Sequence, residues 1–202
     1  MATTTPNYGW PVPTSTDYVK DGALAIETLG DAIDATVFGL PGSGLTLINT
    51  TTFSAVASQS INDVFSATYT NYRLIVNASR DGASGVLLMR LRVGGVDNSS
   101  AEYNTNNIYM TPPNATVNGA SGSGATRFYV GEIYNNSKGE MISDLSNPFV
   151  TDRTQYLYSS FANSYWTFGG GENTATTSYT GFTLVPLAGN ISGSVSVYGY
   201  NK

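Results

Sequence analysis

The hydrophobic period of this chain changes once, and that change constrains the fold more than any other feature. Over residues 14–37, "TSTDYVKDGALAIETLGDAIDATV", apolar side chains recur at spacings of three and four, the mark of a helix face. From residue 45 onward they recur at alternate positions, the mark of half-buried strands. One element cannot serve both periods, because side chains on a strand alternate while those on a helix wind. The sequence therefore predicts a single helix followed by a β-domain, with "FGLPGSG" at 38–44 as the Gly/Pro hinge between them.

The helix is expected over 14–37. Thr14, Ser15 and Thr16 are candidate N-caps, and Asp17 and Asp21 suit the positive end of its dipole. Its apolar stripe runs Val19, Ala23, Ile26, Leu29, Ile33 and Val37. Val19, Ile26 and Ile33 are seven apart, with Gly22 and Leu29 at the complementary positions of a short heptad seam. Gly22 and Gly30 each weaken such a helix by about 1 kcal/mol, so the stripe needs a partner. Two partners are open from the residues: further copies of the helix, or the chain's own sheet. The oligomerisation positions are Val19, Ile26, Leu29 and Ile33.

Residues 1–13 carry Pro6, Pro11 and Pro13 around Tyr8 and Trp10, which makes this leader extended. A Trp there needs a place to bury itself. It can strap across its own chain or peg into a neighbouring protein, and the second makes Tyr8, Trp10, Pro11 and Pro13 an anchoring set.

Residues 45–202 read as an antiparallel β-sandwich, jelly-roll-like, built of short strands divided by Gly, Asn and Pro turns. "NYRLIVNAS" places Tyr72, Leu74 and Val76 inward. "GVLLMRLRVGG" places Leu87, Met89, Leu91 and Val93 inward with Arg90 and Arg92 outward. "TRFYVGEIYN" sets Phe128 and Val130 against Tyr129 and Ile133, and "LTLINTTTF" sets Leu45 and Leu47 on one face. "YTGFTLVPL" and "SGSVSVYGYNK" are expected to pair as a terminal hairpin, and 94–125 to form a long irregular loop.

Composition narrows the chemistry. Charged residues are only 11% against 41% hydrophobic, so the surface is built from Ser, Thr, Asn and Gly. The net charge of −5 offers no basic patch for nucleic acid. With no His and no Cys, Ser–His–Asp and Cys–His catalysis, zinc thiolates and disulfides are excluded. No cofactor or metal is expected, and no apolar run reaches the ~20 residues of a membrane span. "MATTTPNYGWPVP" does not read as a signal peptide, and the sequons at Asn77 and Asn114 read as Asn-rich turns.

Glu132, Glu140, Asp144 and Asp152 could pair on paper as a glycosidase dyad. They fall in or beside expected turns, where acids are solvated or capping groups, and the reading favours no enzyme. "GGG" at 169–171 lacks the Lys and helix of a phosphate loop and reads as a turn. Among 14 Tyr and 2 Trp, most fill a sandwich core. Tyr103, Tyr109 and Trp166 are the candidate receptor or subunit contacts.

Two stretches together resemble minor structural and tail-fibre proteins of tailed bacteriophages. These are the N-terminal "YGWPVPTSTDYVKDGALAIETLGDAID" and the β-rich part marked by "VFSATYTNYRLIV", "LLMRLRVGG" and "GSVSVYGYNK". The resemblance implies a virion component on tail or capsid, released with particles by lysis. Its N-terminus would dock on other virion proteins, a short helical coiled coil would trimerise it, and the β-domain would project toward host-surface glycan or protein. A polysaccharide-degrading spike and a capsid decoration protein are the alternatives.

Overall fold

The computed structural model describes residues 3–39, 44–111, 116–135 and 137–201. The chain divides into two compact units, Met1–Ser43 and Gly44–Lys202. Most of the expected hinge, 40–43, lies outside the described residues, as does the sequon at Asn114.

In the N-terminal unit the leader is a small hairpin. Strands β1 (Thr3–Thr4) and β2 (Pro11–Val12) pair antiparallel. Thr5 N–H donates to Trp10 O at 2.9 Å and Gly9 N–H to Thr5 O at 3.0 Å. Gly9 has φ 68, a left-handed geometry that glycine adopts without strain. A turn follows, in which Thr14 N–H donates to Asp17 Oδ2 at 2.8 Å and Asp17 N–H to Thr14 O at 3.1 Å.

The helix starts later than the sequence predicts. A 3-10 turn spans Val19–Asp21 and α1 spans Gly22–Gly39, with Tyr18 as N-cap and no side-chain cap bond. Asp17, expected inside the helix, instead closes the preceding turn, and that local bond competes with helix initiation at Thr14. No residue of α1 is buried. Its half-buried positions, Gly22, Ala25, Leu29, Ala32, Ile33 and Thr36, form one stripe. On that stripe the Thr36 hydroxyl accepts a hydrogen bond from Trp10 Nε1 at 2.9 Å, so the stripe faces the hairpin.

The second unit is mainly β, a sandwich of two antiparallel sheets. The larger has eight strands in the order β3 (Leu45–Val56), β15 (Ile191–Tyr200), β5 (Asn71–Arg80), β11 (Gly139–Ser146), β12 (Thr154–Ala162), β13 (Tyr165–Asn173), β8 (Tyr103–Thr111) and β9 (Thr116–Ala125). The smaller runs β10 (Phe128–Ile133), β6 (Gly85–Val93), β14 (Gly181–Pro186) and β4 (Gln59–Ile61), with β7 (Val96–Asp97) on β6. Their facing sides form one core that includes Tyr72, Leu74, Leu87, Met89, Phe128, Tyr156 and Phe182. Eight and five strands are not the matched four-stranded sheets of a jelly roll.

Turn chemistry sets two of the registers. Asn163 and Ser164 have φ 46 and 70 between Ala162 and Tyr165, and Gly94 and Gly95 have φ 57 and 79 between Val93 and Val96. Two left-handed residues in succession match the twist of the flanking strands.

Several expectations give way. β14 and β15 do not form a hairpin: β14 pairs with β6 and β4 in the small sheet, and β15 with β3 and β5 in the large one. Nearly every position of β14 is buried, as fits a central strand, and alternation alone does not assign a strand to a sheet. The region 94–125 is not one loop, since β8 and β9 pair within it from Tyr103↔Ala125 to Thr111↔Thr116. Their Asn, Ser and Gly residues have low strand propensity, and cross-strand pairing overrides it. The "GGG" of 169–171 lies inside β13, not in a turn, and Asn77 lies inside β5. A register shift between Tyr129 and Gly131 turns Ile133 to the same side as Phe128 and Val130. Val93, Leu45 and Leu47 are exposed, at the ends of their strands.

Candidate functional site

The two faces of the large sheet differ at its β13–β8–β9 end. On the outer face, registers place Phe161, Trp166, Met110 and Val117 in one cross-strand row. Ile142, Ser159, Phe168, Ile108 and Gly119 make the next, and Asp144, Leu157, Gly170, Asn106 and Ser121 a third. Leu157 is 59% exposed and Phe161 58%, and Trp166 stacks on Phe168 with centroids 6.4 Å apart. Contiguous apolar surface of this kind marks an interaction site more often than isolated exposed residues do. Where β13 contributes Gly170 to the third row and β9 contributes Gly119 to the second, the surface dips into a groove of about 570 Å³.

Beside the groove the outer face turns polar. Asp144 accepts from Arg73 Nε at 2.8 Å, Arg73 Nη2 at 2.7 Å and the Tyr200 hydroxyl at 2.7 Å. Partial burial alone would raise the Asp144 pKa, but these donors outweigh it and hold the carboxyl below its ordinary range.

On the inner face the small sheet ends at β10, which among the described residues is an edge strand paired with β6. A cleft of about 420 Å³ opens there, lined from β10 by Tyr129 and Glu132, from β13 by Tyr165 and Thr167, and from β8 by Thr105, Asn107 and Tyr109. The Tyr129 hydroxyl donates to Glu132 Oε1 at 2.9 Å. Glu132 is half-buried, and burial raises its pKa more than the Tyr129 bond lowers it. Behind Tyr129 stands an aromatic column, Tyr158, Tyr156, Phe128 and Tyr103, with successive centroids 5.4, 5.4, 4.7 and 4.8 Å apart. The Tyr156 hydroxyl donates to Tyr129 O at 2.6 Å and so fixes the cleft wall from within.

The three contact candidates separate. Tyr103 is not a surface residue: it is fully buried, with its hydroxyl accepting from Leu91 N–H at 3.1 Å and donating to Asn98 O at 2.9 Å. Tyr109 lines the inner cleft, and Trp166 lies on the outer face of the same sheet. Sequence reasoning passed over the pairing of Tyr129 with Glu132, because a bulge breaks the alternation between them. Leu157 and Phe168 were legible as outward members of alternating strands.

The four acids do not gather. Glu132 sits in the inner cleft, Glu140 and Asp144 lie on the outer face of β11, and Asp152 accepts from its neighbour Arg153 N–H at 2.7 Å in a turn. In the N-terminal unit, Trp10 is half-buried, stacked on Tyr8 at 5.1 Å and bonded to its own helix. Pro11 and Pro13 line a groove of about 360 Å³ with Tyr18, Leu24 and Thr28. Val19, in the 3-10 turn before the helix, is 98% exposed; on the helix Ile26 is 67% exposed, while Leu29 and Ile33 are half-buried. Ala23 and Gly30 are exposed, whereas the hairpin faces the side that carries Gly22 and Leu29.

No family model matches the chain, and no curated protein gives a significant match. Among solved structures, the crystal structure of the galectin LEC-6 from Caenorhabditis elegans is similar at a TM-score of 0.34 and 11% identity. That match covers 75% of this chain and 96% of that one. At this distance the likeness assigns nothing to the chain beyond what its own strands display.

Proposed function

We propose that this chain is a non-enzymatic structural protein of a virus particle, a short trimeric fibre or spike. Its N-terminal unit assembles the chains and docks them, and its β-sandwich projects to contact a host surface through the outer face. One observation carries the reading: a helix of 18 residues with no buried side chain, exposing Leu24, Ile26, Val37 and Phe38. A unit this small lies at the size, about 40 residues, below which disulfides, metals or association are usually needed, and the chain has no Cys. Partner helices would cover Val19, Ala23, Ile26, Gly30, Ile33 and Val37, a stripe alternating in steps of four and three that suits a short coiled coil. The trimer, the docking through Tyr8 and Trp10 and the place on the particle come from the bacteriophage resemblance, which this geometry accommodates. The outer face supports a contact role because Leu157, Phe161, Trp166 and Phe168 stand exposed on rigid central strands.

Sedimentation of the full chain beside a chain beginning at Gly44 tests the assembly. The full chain is expected to be trimeric and the shortened one monomeric, and Ile26→Asp in the full chain is expected to match the shortened one. A monomeric full chain at high concentration would refute the trimer. Gold-labelled electron microscopy of particles decides between tail and capsid, and its failure to label either would remove the virion reading.

A further inference from the structure

The inner cleft has a feature that neither assembly nor the outer face explains. Glu132 is a half-buried carboxyl without an ion-pair partner among the described residues, walled by tyrosines. Among the described residues of the sandwich, Arg73, Arg92 and Arg153 pair with other acids. A carboxylate drawn partly out of water gains most from a cation brought to it. We propose that this cleft binds a trimethylammonium group, with Glu132 as counter-charge and Tyr129, Tyr109 and Tyr165 as the aromatic walls.

Three physical points favour that ligand. Ring faces attract cations through their quadrupole, and walls of several rings suit a quaternary ammonium. Such a group has no N–H to satisfy, so one carboxylate with an oxygen already bonded to Tyr129 is enough. Calcium, by contrast, takes six to eight oxygen ligands and favours several carboxylates, which one glutamate does not supply. The site is preorganised: Tyr129 is held by its bond to Glu132 and by the Tyr158 and Tyr156 rings behind it, and Tyr165 lies 6.2 Å from Tyr134. Thr105, Asn107 and Thr167 give the floor hydrogen-bonding groups for a polar tail on the ligand. A head group of this kind occurs on lipids and on choline-substituted polymers, and the cleft chemistry is the same for both.

The inference extends the reading of the sandwich as an attachment module, yet it does not depend on oligomeric state. The full chain is titrated with choline, with its neutral isostere in which carbon replaces the quaternary nitrogen, and with propylammonium, following tyrosine resonances and heat. Choline is expected to bind at least about tenfold more tightly than the isostere, as cation–π attraction plus a half-buried counter-charge implies. Glu132→Gln is expected to erase that preference while the melting temperature stays near that of the parent. Equal binding of choline and isostere, no binding of choline, or tighter binding of propylammonium would each overturn the proposal, and none of these touches the sedimentation result. Phosphatidylcholine vesicles supply the second arm. Their co-sedimentation with the chain identifies a lipid source, and binding of free choline without vesicle capture identifies a polymer-borne one.

Discussion

The two units of this chain solve burial in opposite ways. Every fully buried apolar side chain among the described residues belongs to the sandwich, and none belongs to the N-terminal unit. The sandwich turns alternating strands into one continuous core and gathers its exposed aromatic residues Phe161, Trp166 and Phe168 on one face. The N-terminal unit is held by a few specific contacts, such as the Trp10 bond to Thr36, and leaves much of its helix apolar and open. Burial of one large side chain contributes about 1.5–3 kcal/mol. The sandwich therefore has a core of its own to stabilise it, while among the described residues the N-terminal unit has none.

The largest effect is expected where the first half of that comparison is attacked. Phe182 is fully buried and stacks on Phe65 with centroids 5.8 Å apart. Phe182→Ala should cost the sandwich about 3–5 kcal/mol, read as a fall in denaturation midpoint. The helix signal in circular dichroism should persist beyond that transition. If both signals vanish together, the two units are one cooperative body and the contrast is wrong.

Gly171 offers a smaller disruption without removing any contact. A Cβ there would point inward and meet Asn104 backbone oxygen, so β8 must move away from β13. Gly171→Ala should destabilise by about 1–3 kcal/mol. Because β8 bears the cleft wall, this variant should also weaken choline binding, whereas Phe182→Ala, measured well below its melting point, should not.

What the sequence made legible follows the same division. Period-two alternation placed Tyr72, Leu74, Leu87 and Phe128 in the core, since each strand buries one face and the pattern is local. Sheet membership was not legible: "YTGFTLVPL" and "SGSVSVYGYNK" are neighbours in sequence but partners of different strands, and pairing is decided by long-range registers. The β8–β9 hairpin was hidden by its composition, because Asn, Ser and Gly signal turns unless a neighbouring strand supplies the ladder. The heptad spacing of the helix was legible, but its seam was drawn through Gly22 and Leu29. The hairpin faces that side, so Gly22 and Leu29 are half-buried while Ala23 and Gly30 stand exposed. For the cleft, sequence pointed to Tyr109 and named Glu132 only as an acid in or beside a turn, whereas it lies inside β10, where its orientation depends on a bulge.

In the N-terminal unit the expected change is smaller still. Trp10→Phe keeps an aromatic ring beside Tyr8 and removes the donor to Thr36. One such bond contributes about 0.5–1.5 kcal/mol, and Thr36 can still bond Ala32. Helix content should fall and assembly should weaken, with the melting of the sandwich unchanged. If Trp10 pegs only into a neighbouring protein, helix content stays constant and docking alone suffers.

The smallest effect tests whether the polar flank of the outer face stabilises the sandwich at all. Asp144 is held by Arg73 and Tyr200 with its folded-state pKa below the ordinary 3.8. A depressed carboxyl pKa contributes stability that is present above the unfolded value and lost as pH falls through the folded one. The window therefore opens near 3.8 and extends downward in pH. Both side chains are about a third exposed, at 34% and 36%, so solvent screening limits the contribution to under about 1 kcal/mol. Asp144→Asn should lower stability at neutral pH by that small amount and flatten the acid limb of the midpoint-against-pH curve. An unchanged acid limb would mean that the Arg73–Asp144 pair only orients the rim of the groove. In that case its loss should appear in surface binding, and Arg73→Lys, which gives up the two-point geometry but keeps the charge, should reproduce it.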